Sequence, residues 1–230
     1  GVVIEGPERG RVRVHGVGLH GLKSAPGPLY VGNSGTSMRL LSGILSAQAF
    51  DTVMTGDASL TKRPMERIAK PLRLMGADIQ TTGERGTPPV SVHGASTAAK
   101  GGLKGIHYDM PVASAQVKSG VLLAGLWADG ETSVTEPAPT RDHTERMLKG
   151  FGYEVNVQGA TASLRGGGKL TATKIDVPSD ISSAAFFLVA ASIAPNSDLT
   201  LEHVGINPTR VGVINILKAM GGNLEVFNER

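Results

Sequence analysis

The sequence predicts a layered α/β fold built from one strand–helix–strand–helix–strand unit written three times. Three observations predict it. The first is a recurring ending: Met75-Gly76-Ala77-Asp78-Ile79, Phe151-Gly152-Tyr153-Glu154-Val155 and Met220-Gly221-Gly222-Asn223-Leu224. Spacings of 76 and 69 residues are too long for common solenoid repeats and suit a small supersecondary unit. The second is that helical and β-branched stretches alternate along the chain, which argues for α/β layers. The third is glycine, 31 of 230 residues and about twice the usual ~7%. With 40% apolar residues available for a core, that glycine belongs in turns and close backbone approaches.

Taken in order, Val2 to Ile4 and Arg11 to His15 read as strands that end an earlier unit. Leu29 to Val31 is a strand, and the small-residue stretch from about Thr36 to Ala49 is the first long helix. Thr52 to Thr55 follows as a β-branched strand. A second helix opens at Lys62-Arg63-Pro64, where proline suits a first helical position, and stops at Gly76 in a left-handed turn. Val90-Ser91-Val92 adds one more strand. The second unit repeats the plan with a helix from Ala113 to Ala128, a strand over Thr132 to Thr135, and a helix capped by Thr140 or Asp142 and stopped at Gly152. The third has a helix from Ile181 to Ala194, a strand at Leu199 to Leu201, and a helix opened by Thr209-Arg210 and stopped at Gly221. The run Gly166-Gly167-Gly168 is the softest stretch and marks a boundary or hinge between about 166 and 178.

Composition excludes several functions. Cysteine is absent, which removes disulfides, thiolate zinc sites and a cysteine nucleophile, and fits a reducing, cytoplasmic setting. The net charge of +3, with a pI near 9.3, is compatible with nucleic acid and equally with a small anionic substrate. One Trp, three Tyr and five Phe leave little for stacking bases, so no nucleic acid partner is expected. The longest nearly apolar run, Ala184 to Ala194, is too short to span a bilayer, and no basic-then-apolar leader opens the chain. No membrane partner is expected either. Gly1 runs straight into a strand pattern without a methionine, so further sequence is expected upstream.

Four segments carry candidate chemistry. Gly32-Asn33-Ser34-Gly35-Thr36-Ser37-Met38-Arg39 follows a strand and opens a helix, where backbone amides and the helix dipole suit an anion. Its spacing fits neither a Walker loop nor a dinucleotide fingerprint, and a plain glycine turn with a serine cap explains it equally well. Thr61 to Arg67 sets cations at a helix start, where the dipole disfavours them; an anion held between them, or a solvated basic turn, accounts for this. Ser114 and Gln116 fall in the first turn of the second long helix and suit an oxyanion, or Ser114 is simply its cap. His143 is the one histidine in a motif-like setting, and a surface or capping role is expected for all six. Asp57 and Asp180 read as helix caps. No metal-ligand spacing appears.

Together these segments resemble the 5-enolpyruvylshikimate-3-phosphate synthase family, also called 3-phosphoshikimate 1-carboxyvinyltransferase. The carrying residues are Gly32 to Arg39, Gly56 to Met65, Pro111 to Gly125, Thr140 to Leu148 and Asn207 to Arg210, so the likeness covers essentially the whole chain. The resemblance implies an inside-out α/β barrel of repeated βαβαββ units, three per domain, with the substrate cleft between two domains. Residues 1–176 would be most of one domain and 177–230 the opening unit of the other. The implied reaction transfers the enolpyruvyl group of phosphoenolpyruvate to shikimate 3-phosphate, with no metal or organic cofactor, in a monomer.

By the same resemblance Gly35, Arg63 and Gln116 meet phosphoenolpyruvate, and Ser114, Ala115, Gln116 and Thr140 meet shikimate 3-phosphate. Asn33, Thr36 and Arg39 support the enolpyruvate loop. Ala115 stands where other branches have serine, so its backbone alone contributes; the Ser-Ala-Gln form resembles the branch often described as glyphosate-tolerant. The family's Lys-Ser-Arg cluster falls before Gly1, and its catalytic Asp and Lys-Glu pair fall after Arg230. No catalytic residue is therefore expected within these 230 residues, and Asp180 is not assigned that role. The sister family acting on UDP-N-acetylglucosamine fits the motifs poorly. A nucleic-acid or ligand-binding module of related repeated architecture is the reading from a different class.

Overall fold

Two four-stranded sheets of the same connectivity organise the first part of the computed structural model, which describes residues 1–229. β1 (Val3–Glu8) and β2 (Arg11–His15) form an antiparallel hairpin. A complete βαβαββ unit follows: β3 (Leu29–Tyr30), α1 (Gly35–Ser46), β4 (Asp51–Thr55), α2 (Glu66–Leu74), β5 (Ile79–Thr81) and β6 (Val90–His93). After α3 (Gly94–Ala99) comes a second: β7 (His107–Asp109), α4 (Ala115–Gly125), β8 (Glu131–Thr135), α5 (His143–Gly150), β9 (Asn156–Gln158) and β10 (Thr161–Arg165). In each, the first strand pairs parallel with the second, and the rest of the sheet is antiparallel, giving β3-β4-β6-β5 and β7-β8-β10-β9. For the first two of the three endings, the repeat read from the sequence is thus a repeat of topology; after β10 no strand forms among the described residues.

Alternation explains the sheets. In β4, Thr52 and Met54 face inward while Asp51 and Val53 face out; in β8, Thr132 and Val134 do the same. Gly76 and Gly152 have φ of +96° and +77°, the left-handed stop that releases the chain from α2 and α5. One continuous core fills the unit, with Met38, Met54, Met65 and Met75 fully buried. Unbranched methionine suits the irregular space left between glycine-rich helices.

Two glycines set how the helices meet. A Cβ on Gly43 would lie 2.1 Å from the Gly120 carbonyl oxygen, so α1 and α4 touch backbone to backbone. Arg39 and Gln116 each precede their glycine by four residues and share its helix face. The close contact therefore brings the starts of both helices side by side.

The chain divides after Thr173, and the second compact unit begins at Lys174. It carries α6 (Ile181–Ile193) and α7 (Gly212–Ala219), packed through Ile181, Ala184 and Ile214. Gly221 ends α7 with φ +90°.

Some boundaries differ from expectation. α2 begins at Glu66 rather than Pro64, because the Met65 amide donates to Gly86 O at 2.7 Å and the Pro64 carbonyl accepts from Arg39 at 3.0 Å. Pro64 thus stays outside the helix and Met65 is its N-cap. The strand expected at Leu199 to Leu201 does not form; parallel pairing there is a single bridge between Ser179 and Val204. A strand needs a ladder partner, and among the described residues 199–201 have none. No helix among them is long and apolar enough to cross a membrane.

Candidate functional site

Three chain segments converge at the starts of α1 and α4. Ser34 caps α1 by accepting from the Ser37 amide at 3.0 Å, which places Gly35 at the helix's positive end. Gly35 is buried, and a Cβ there would lie 2.9 Å from Arg39 Nη1 and 3.5 Å from Arg63 Nη1. Two guanidinium groups therefore flank the glycine. Its own amide donates to Asn33 O at 3.1 Å.

Arg39 is the hub. Its Nη1 donates to Gln116 Oε1 at 2.6 Å and to Gly35 O at 3.4 Å, and its Nη2 donates to Pro64 O. Gln116 Nε2 in turn donates to Thr36 Oγ1 at 2.7 Å. Burial, then the nearby charges of Arg67 and Arg63, push the Arg39 guanidinium below its ordinary pKa. Three like charges gathered at helix starts create a positive field that an anion would neutralise.

Arg63 is oriented from the other side. Its Nη2 donates to Asn33 Oδ1 at 2.5 Å, and Asn33 Nδ2 donates to Asp57 Oδ2 at 2.8 Å. Asp57 also accepts from the amides of Leu60 at 2.7 Å and Ser59 at 3.0 Å, and these bonds, with that from Asn33, hold its carboxyl below the usual range. The amide of Asn33 is thus fixed with its oxygen towards Arg63.

Ser114 caps α4, accepting from the Val117 amide at 3.3 Å, and Ala115 is the first residue of the helix. Both sit beside Gln116. Thr140 belongs to a separate network, donating its hydroxyl to Glu136, which also accepts from Lys118. Asp142, not Thr140, is the N-cap residue of α5, and its carboxylate accepts from Arg146. Five histidines are exposed, as a surface role requires, and His93 is half-buried beside Asp51. Asp180 caps α6 through Ser182, in keeping with the capping reading. No cluster able to hold a metal occurs among the described residues.

The predicted residues Asn33, Gly35, Thr36, Arg39, Arg63 and Gln116 are therefore one connected group. Sequence reasoning placed Arg67 in the basic segment without a role, and missed Lys118 and Glu136. Arg67 lies one turn beyond Arg63, and Lys118 is the sole cation of an otherwise small and apolar α4, which was the available signal.

A family model described as EPSP synthase (3-phosphoshikimate 1-carboxyvinyltransferase) matches residues 1–229. The chain belongs to the EPSP synthase family. Proteins named 3-phosphoshikimate 1-carboxyvinyltransferase from Methylococcus capsulatus and Alkalilimnicola ehrlichii are 64% and 62% identical over 230 residues, covering all of this chain and 51% and 50% of theirs. A solved EPSP synthase from Acinetobacter baumannii, 70% identical, matches with a TM-score of 0.88 over 100% of this chain and 51% of its own. The fold is that of the EPSP synthase family. The chain spans about half the length of these relatives.

Proposed function

We propose that the chain forms part of an enzyme that transfers the enolpyruvyl group of phosphoenolpyruvate to shikimate 3-phosphate in aromatic amino acid biosynthesis. The observation that carries the reading is the group joining Gly35, Arg39, Arg63 and Gln116 at two helix starts. In this reading Gly35, Arg63 and Gln116 hold phosphoenolpyruvate, supported by Asn33, Thr36 and Arg39. Ser114, Ala115, Gln116 and Thr140 hold shikimate 3-phosphate. The substrate hydroxyl gives its proton to a base and adds to the enol carbon while the methylene carbon takes a proton from an acid, and phosphate then leaves as the resulting methyl group gives up a proton. Fixed cations and amides suit both anions and the charge that develops.

Residues 1–176 serve as most of one three-unit domain and 177–230 as the first unit of the other. Acid and base come from outside this chain, so the chain alone binds but does not turn over. The enzyme works in the cytoplasm as a monomer, without metal, cofactor, nucleic acid or membrane. Phosphate release by the complete enzyme tests this: turnover with shikimate 3-phosphate supports it, and turnover with UDP-N-acetylglucosamine instead, or binding of an RNA oligomer alone, would refute it.

A further inference from the structure

The side chain of Lys118 is 2% exposed and lies in the first turn of α4. Burial and the helix dipole both oppose a cation there. Two carboxylates compensate: Glu136 Oε1 at 2.5 Å and Glu145 Oε1 at 2.7 Å, with side chains 11% and 6% exposed. Such a cluster is weak grounds for stability, because desolvation consumes the attraction and apolar replacements are often neutral. Its use is better sought in what it orients. Glu136 stands directly after β8, and its second oxygen accepts the hydroxyl proton of Thr140. Thr144, at the start of α5, ties that helix to α4 by donating to Ser119 at 2.7 Å.

We propose that Glu136, held in place by Lys118, is a positioning residue that competes with the substrate phosphate for the hydroxyl proton of Thr140. The inference rests on the reading of Thr140 as a shikimate-3-phosphate contact. A hydroxyl has one proton to give, and a carboxylate paired with lysine only accepts. A phosphate oxygen also only accepts. Thr140 therefore grips the phosphate by turning its proton away from Glu136, and Glu136 sets how readily it does so. Gln116 and Arg63, outside this network, do not feel the exchange.

The test is steady-state kinetics on the complete enzyme carrying Glu136→Gln, Thr140→Val, and both. Glutamine can still accept from Lys118, but its amide donates to Thr140 and leaves the threonine proton for the ligand. KM for shikimate 3-phosphate should fall about three- to tenfold, the worth of one hydrogen bond, with KM for phosphoenolpyruvate unchanged. The double variant should match Thr140→Val alone, because Glu136 acts through that hydroxyl. If Glu136→Gln does not fold, Glu136→Asp withdraws the carboxylate from Thr140 and should produce the same selective fall. Unchanged KM values with a lowered melting temperature, an equal change for both substrates, or additive effects in the double variant would overturn the proposal. Absence of turnover in the unsubstituted enzyme would remove the functional reading instead, and is seen before any variant is made.

Discussion

The Arg39 guanidinium donates to the Gln116 side-chain oxygen at 2.6 Å, although the two residues are 77 positions apart. That bond joins the starts of α1 and α4 above the contact between Gly43 and Gly120. It leaves the Gln116 amide to donate to Thr36. Gln116→Leu removes both bonds and leaves the half-buried guanidinium of Arg39 with the Gly35 and Pro64 carbonyls alone. A loss of about 1.5–2 kcal/mol is expected in denaturant unfolding, the lower part of the range for charged partners because water still reaches Arg39.

The glycine contact is the second test. Glycine-to-alanine inside a helix ordinarily gains up to about 1 kcal/mol. At Gly43 the new Cβ would meet the Gly120 carbonyl oxygen at 2.1 Å, a backbone atom that cannot swing aside. The clash wins. Gly43→Ala should destabilise by about 1–3 kcal/mol and weaken both substrates in the complete enzyme, read from the melting temperature and the two KM values.

Arg63 is held by Asn33, itself held by Asp57. In the complete enzyme Arg63→Ala should cost about 1.5–3 kcal/mol of phosphoenolpyruvate binding, roughly ten- to a hundredfold. Arg63→Lys should recover part of it, since a point charge cannot form the planar fork. Wild-type kinetics in the alanine variant would mean that Thr61 to Arg67 is only a basic turn.

Glu66 predicts an acid limb. Arg73 grips it with bonds of 2.7 and 3.0 Å, and this, with Thr81, holds its carboxyl below the ordinary range. A depressed carboxylate contributes stability that is present above the unfolded value, about 4.3, and is lost as pH falls through the folded one. Glu66→Gln should lower the melting temperature at pH 7 and flatten its fall below about pH 4.3. An unaltered acid limb in the variant would assign that limb to other carboxylates.

Much of the fold is legible in the sequence because it is local. Gly76, Gly152 and Gly221 stop their helices as read, and β4 and β8 fall where β-branched residues cluster. Leu199 to Leu201 misleads because strand propensity counts only when a neighbour completes the ladder, and that neighbour is not a local property. The site divides in the same way. The glycine loop, the basic turn and the start of α4 each read as an anion site or as a plain cap, and each remains ambiguous alone. What resolves the geometry is the Gly43–Gly120 approach, written as two unremarkable glycines in the middle of helices. Glu136 carries no local signal, because its link to Lys118 spans 18 residues and depends on how β8 ends beside α4.

The central claim is that the starts of α1 and α4, with Arg63, make a single anion-binding face. Backbone amide NMR of the 230-residue chain, titrated with shikimate 3-phosphate and phosphoenolpyruvate together, tests it most directly. The signals of Gly35, Thr36, Ala115 and Gln116 should move along one common binding curve, and Arg63→Ala should remove the part that depends on phosphoenolpyruvate. Signals that stay still at saturating ligand, or that follow separate curves while residues elsewhere respond, would contradict it.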